Sequence, residues 1–224
     1  MICFCRREAW SSSSTIQAMK PSSLVIGCAV MSEHLDALIR NPWREVRCAV
    51  TGSPDRPLHA SDFGQSASPE DIEAVASFFR QNPFFRFGAV GSVNTQLAQG
   101  LSPLRTIVKV LQMRIAEIAR WTPFEEVHII FESSKRADPL IEDAMQGFGL
   151  EENGKSIPVE CYFMTKRAGE PGLEVADFVV HTVGRQARAN LKQRGDFALD
   201  YAAVFHKVDP RLTSFMEVDK CGIF

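Results

Sequence analysis

The chain has 224 residues, 45% of them hydrophobic and 23% charged, the composition of an ordinary globular protein with one sizeable core. Its formal net charge of -2 gives no global electrostatic pull toward nucleic acid or a membrane surface, so either partner would need a local basic patch. The six cysteines (Cys3, Cys5, Cys28, Cys48, Cys161 and Cys221) make no CxxC pair and no finger-like zinc spacing, which points away from a disulfide framework and toward a reducing cytoplasm.

In chain order, residues 1–22 read as an irregular N-terminal segment. Ile2–Cys5 would make only a short strand, and Arg6–Thr15 is charged and then serine-rich without periodicity. Met19–Cys28 has the outline of a lipoprotein signal, but the apolar run Leu24–Gly27 is too short to be its core. No stretch approaches the length of a membrane-spanning helix. Leu24–Ser32 is apolar and β-branched enough for an interior strand. Ser32 caps a short helix that Pro42 stops near Arg40, and Glu45–Thr51 reads as a second strand closed by the turn Gly52-Ser53-Pro54-Asp55.

Ser68-Pro69-Glu70-Asp71 is a helix start, with a serine cap, proline at the first position and acids in the first turn. That helix runs to about Gln81 and turns Ile72, Val75, Phe78 and Phe79 inward. Phe84–Val93 reads as a strand. Ser102-Pro103 opens a helix to Trp121 whose apolar positions Ile107, Val108, Leu111, Ile115 and Ile118 recur every three or four residues. Val127–Glu132 is a central strand ending on a carboxylate; a helix over Pro139–Gly149, a polar turn to Ser156 and a strand over Val159–Lys166 follow. A helix from Gly172 to about Arg194, another helix or strand over Asp196–Phe205 and an extended ending complete the chain. Helices and strands alternating from Phe84 onward predict an α/β or α+β layer, a mixed sheet covered by helices. Ligands in such sheets bind beyond the carboxyl ends of the strands.

Three sets of residues compete for chemistry. On the helix from Gly172, the apolar positions Leu173, Ala176, Val179, Val180 and Val183 leave Glu174, Asp177 and His181 together on the other face. With Glu132 from the strand end, these carboxylates suit Mg²⁺ or Mn²⁺, and two such ions can drive phosphodiester cleavage. The plainer alternatives are the wet side of a helix for Glu174 and Asp177, and a pairing with Lys135 or Arg136 for Glu132. The second set is His59, Ser61 and Asp62, able to move a proton or to serve as turn residues. The third is Arg185 and Arg188 with Lys135, Arg136, Lys166 and Arg167, which would hold phosphates or form a solvated face. P-loops, dinucleotide fingerprints and serine nucleophile elbows are absent.

Pro57-Leu58-His59-Ala60-Ser61-Asp62-Phe63, the strand Val127–Glu132 with the Ser133-Ser134-Lys135-Arg136 that follows it, and Gly172-Leu173-Glu174-Val175-Ala176-Asp177-Phe178 together resemble the bacterial and phage family grouped as domain of unknown function 3800. The resemblance runs from about residue 23 to residue 190, and its specificity lies in the order and spacing of short motifs. It implies a ribonuclease H-like fold over residues 23–224, a mixed five-stranded sheet flanked by helices, and by analogy of fold a metal-dependent nuclease.

Under that resemblance Asp177 matches the acid of the family's Gln-x-x-Asp motif, with Glu174 where glutamine is usual. Asp177, Glu132 and Glu174 would be ligands of Mg or Mn, Asp177 and Glu132 with His59 would be catalytic, and Arg136 and Arg185 would contact nucleic-acid substrate. One departure stands out. Family members begin with a strand carrying Asp-Glu-Ser-Gly, whose first aspartate would bridge the metals. This chain reads Ile2-Cys3-Phe4-Cys5-Arg6-Arg7-Glu8-Ala9-Trp10, and Glu8 is its sole acid before Glu33. The alternative implied is a catalytically inactive member that binds nucleic acid or a protein partner through the same crevice.

Overall fold

A computed structural model describes residues 1–8, 21–92, 103–121, 124–152, 154–191 and 213–217. Strand β1 (Ile2–Glu8) and strand β2 (Pro21–Val30) form an antiparallel pair. The 3-10 turn Ser32–His34 and the π-helical segment Asp36–Arg40 lead into α1 (Asn41–Thr51), followed by α2 (Ala60–Ser66) and α3 (Pro69–Gln81). Then come β3 (Phe85–Ser92), α4 (Pro103–Trp121), β4 (Val127–Glu132), α5 (Asp138–Met145), β5 (Leu150–Glu152), β6 (Lys155–Ile157) and β7 (Val159–Met164). A second 3-10 turn, Lys166–Ala168, precedes α6 (Pro171–Leu191), and β8 (Thr213–Glu217) is last.

Six strands join in the order β7-β4-β1-β2-β3-β8, with β5 and β6 a separate antiparallel hairpin. β2 runs antiparallel to both β1 and β3, whereas β4 is parallel to β1 and β7, and β8 is parallel to β3. The fold is α/β, a mixed sheet flanked by helices, with one strand more than the five expected. The pleat sends successive residues to opposite faces, so two cores form. Phe4 and Cys28 face α1, α2, α3 and α6, while Cys3, Ala29, Val127, Ile129 and Phe131 face α4 and α5. In the first core Trp43 meets Phe78 at 4.9 Å and Phe178 at 5.0 Å, ring edges against ring faces.

The capping expected at Ser68 is present: its hydroxyl accepts from the Asp71 amide at 3.2 Å, and the Asp71 carboxylate accepts from the Ser68 amide at 2.9 Å. Other expectations are corrected. The irregular segment over residues 1–22 gives way to β1, which lies between β4 and β2 in the sheet; residues 9–20 lie outside the described residues. Glu45–Thr51 is helical. Alternating Val46, Cys48 and Val50 suggests a strand, but Trp43, Val46 and Arg47 share the buried face of α1, and Pro42 sits in its first turn, where a missing amide proton costs nothing. The polar turn over Gly149–Ser156 is the β5–β6 hairpin, and part of the extended ending is β8. The element expected over Asp196–Phe205 lies outside the described residues.

Gly172 fixes where α6 meets the sheet. A Cβ there would stand 2.3 Å from the Phe4 ring, and the Cys28 thiol donates to the Gly172 carbonyl at 3.6 Å. Only a residue without a side chain lets the helix start approach β1 and β2 this closely.

Candidate functional site

The start of α6 is buried all round: Leu173, Glu174, Val175, Ala176 and Phe178 are all excluded from solvent. Glu174 is therefore a core carboxylate, unlike the wet-face residue its spacing suggests. Its Oε2 accepts from Trp43 Nε1 at 2.9 Å, Arg47 Nε at 3.0 Å and the Leu58 amide at 3.1 Å, and its Oε1 accepts from Arg47 Nη2 at 2.7 Å. The side chains of Arg47 and Glu174 are 4% and 8% exposed. Arg47 also donates to the carbonyls of Pro54 at 3.2 Å and Gly169 at 2.7 Å. One buried ion pair thus ties α1, the loop before His59 and the loop before α6 to a single point. A buried charge needs this number of partners, because desolvation penalises any part left unpaired.

One helical turn on, Asp177 is half-buried and accepts from the Ala60 amide at 3.0 Å, one of the orphan donors at the start of α2. His59 immediately precedes that amide. Its ring is half-buried, and its Nδ1 makes no hydrogen bond to the described residues. The structure therefore brings His59 and Asp177 to the same helix start. His181 is half-buried farther along α6. Ser61 and Asp62 are exposed and bonded to each other at 3.3 Å.

Glu132 ends β4, with its side chain 16% exposed, and Lys166 Nζ stands 3.6 Å from its Oε1. The Ser133 amide donates to the Met164 carbonyl at 2.9 Å, joining the loops that leave β4 and β7. Asp138 closes the first loop, accepting from the Ser133 hydroxyl at 2.8 Å and the Ser134 amide at 2.7 Å. Lys135 and Arg136 in one loop and Lys166 and Arg167 in the other are all exposed. Glu170, which follows them, is held by a forked pair from Arg40, Nε at 3.1 Å and Nη2 at 3.0 Å. Arg185 and Arg188 continue α6, and their side chains lie outside the described residues.

A strand reading of Glu45–Thr51 hides Arg47 as a site-building residue. A helical reading puts Arg47 on the face of Trp43 and Val46. A guanidinium on an apolar face demands a buried acid.

The donor set does not fit a carboxylate centre for Mg²⁺ or Mn²⁺, ions that gather several oxygen ligands in a shell. Glu174 is engaged by Arg47, Glu132 faces the Lys166 ammonium, and Asp177 serves the α2 start. Among the described residues no group of three or more His, Cys, Asp or Glu side chains could hold an ion. No helix among them is long and apolar enough to cross a membrane.

No family model matches the chain, and no curated protein does. Among solved structures it is similar to Bst-RNase HIII in complex with Mn²⁺, at 12% identity and a TM-score of 0.46, over 86% of this chain and 55% of that one. It is also similar to a chain of the PCNA:RNase HII complex from Archaeoglobus fulgidus, at 15% identity and a TM-score of 0.39, over 94% of this chain and 82% of that one. The chain thus spans about half the length of the ribonuclease HIII chain.

Proposed function

We propose that this chain engages nucleic-acid phosphates in the crevice beyond the carboxyl ends of β4 and β7. The observation that carries the reading is the placement of Lys135, Arg136, Lys166 and Arg167. They are exposed on two loops joined by the Ser133–Met164 hydrogen bond, at the sheet end where open α/β folds bind ligands. Cations on a rigid rim recognise a phosphate backbone without reading its sequence. Arg185 would extend the track along α6, and His59 would contact a phosphate oxygen beside Asp177.

The test is fluorescence anisotropy with labelled single- and double-stranded DNA and RNA over a salt series. Replacing Arg136 and Arg167 by alanine should weaken binding and lower the magnitude of the log–log salt slope by about 1.4 to 1.8, at roughly 0.7 to 0.9 per phosphate contact. An unchanged slope in this variant would remove the rim from the interface.

Phosphodiester hydrolysis is the second reading. Its support is that Glu132 and Asp177 stay partly open to solvent, while the resemblance puts a metal on these residues and Glu174. Its test is cleavage of the same nucleic acids with Mg²⁺ or Mn²⁺ added, against Asp177→Asn.

A further inference from the structure

We infer that the chain's own cations take the places at these carboxylates that divalent ions would fill, so that the crevice binds nucleic acid without a metal. The inference rests on the phosphate-binding reading above. Three features carry it. At Glu174 a guanidinium fork and two further donors surround a buried carboxylate. An ion seated there would displace Arg47, leaving a cation buried among Trp43 and the loop carbonyls with no counter-charge.

At Glu132 the Lys166 ammonium stands 3.6 Å from the carboxylate and puts a positive charge where an ion would have to sit.

The third feature is the sign of the local charge. Arg47, Lys166, Lys135, Arg136 and Arg167 outnumber Glu132, Glu174, Asp177 and Asp138, the last held by the Ser133 hydroxyl and the Ser134 amide. Glu170 adds no free negative charge, because Arg40 holds it. A net positive crevice repels Mn²⁺ and attracts phosphate through one and the same field. Asp177 accepts from the Ala60 amide and Glu132 faces Lys166, and the described residues assemble no oxygen shell of the kind that Mg²⁺ or Mn²⁺ completes.

The experiment pairs two measurements on the full chain. Mn²⁺ is titrated and followed by electron paramagnetic resonance, and nucleic-acid affinity is measured in EDTA and again in millimolar Mn²⁺. The expected result is no saturable Mn²⁺ site and an affinity that differs by less than about twofold between the two buffers, the change attributable to screening. Saturable Mn²⁺ binding abolished by Asp177→Asn would overturn the inference, as would a tenfold gain in affinity with Mn²⁺. If nucleic acid binds in neither buffer and Mn²⁺ finds no site, the phosphate-binding reading fails and the inferred metal-free binding fails with it. In that outcome the replacement of metal by Arg47 and Lys166 survives.

A gain-of-function control separates these cases. Lys166→Glu removes the competing ammonium and puts a second carboxylate beside Glu132. The inference expects Mn²⁺ affinity to rise in this variant; a correctly folded variant that still binds no Mn²⁺ would show that the Lys166 cation is not what keeps the ion out.

Discussion

Of the acids proposed as metal ligands, Glu174 and Glu132 each meet a cation, and the two pairs differ in almost everything else. Glu174 and Arg47 lie inside the first core, bonded through two nitrogens and both oxygens, with further donors from Trp43 and Leu58. Glu132 and Lys166 lie at the rim of the sheet, one nitrogen to one oxygen at 3.6 Å, with the lysine mostly in water. The formal chemistry is the same. Burial makes the first an organising point of three chain segments and leaves the second a weak, exchangeable contact.

The largest effect follows from removing one half of the buried pair. Arg47→Met should cost about 3 to 5 kcal/mol in urea unfolding, since it strands the Glu174 carboxylate in the core. The double variant Arg47→Met with Glu174→Leu should regain much of that loss. A double variant as unstable as the single one would mean that the loop anchors at Pro54 and Gly169, and not the charge, carry the cost.

Gly172→Ala tests the same helix start by shape alone. The added Cβ would meet the buried Phe4 ring at 2.3 Å, so overpacking should cost about 1 to 3 kcal/mol. A neutral outcome would show that α6 can lift from β1 without strain.

The buried thiols add a dependence on pH. Desolvation pushes Cys3 up to about 12 from 9.0 and Cys161 up to about 11 from 9.0, and it raises Cys28 as well. Between these values and 9 the unfolded chain has ionised its thiols while the folded chain still holds the protons. Stability therefore falls as pH rises from about 9 toward 12, by up to about 1.4 kcal/mol per pH unit for each such thiol. Urea midpoints at pH 8, 9 and 10 check this; Cys3→Ala should flatten the decline, and an equally steep decline would remove Cys3 as its source.

The smallest effect belongs to the rim pair. Lys166→Met should change stability by less than about 1 kcal/mol, and yet weaken nucleic-acid binding in proportion to one lost phosphate contact. A stability loss as large as that of Arg47→Met would erase the distinction between the two pairs.

Much of the scaffold was legible from local chemistry. Ser68-Pro69 and Asp71 announce α3, the apolar spacing of Leu111, Ile115 and Ile118 announces α4, and Val127–Glu132 reads as an inner strand because its period and length allow little else. Helix α1 is ambiguous locally because Val46, Cys48 and Val50 satisfy a period of two as well as Trp43, Val46 and Val50 satisfy a helical one; only packing against α3 and α6 separates the two. Strand β1 escapes a local reading because its arginines and serine-rich sequel look like loop. A strand in the middle of a sheet draws its stability from ladders on both sides, which no local pattern reports.

By itself, then, the sequence determined the α/β class, most element positions and the carboxylates and cations worth watching, because capping, periodicity and charge are properties of short stretches. The tertiary structure decided which of those groups are in water. It buried Glu174 against an arginine from a distant helix, left Glu132 at the rim beside Lys166, and set Asp177 at the start of α2. The energy of an ionised group depends on its solvent and its partners, and both are supplied by residues more than a hundred positions away in the chain for Glu174 and Asp177.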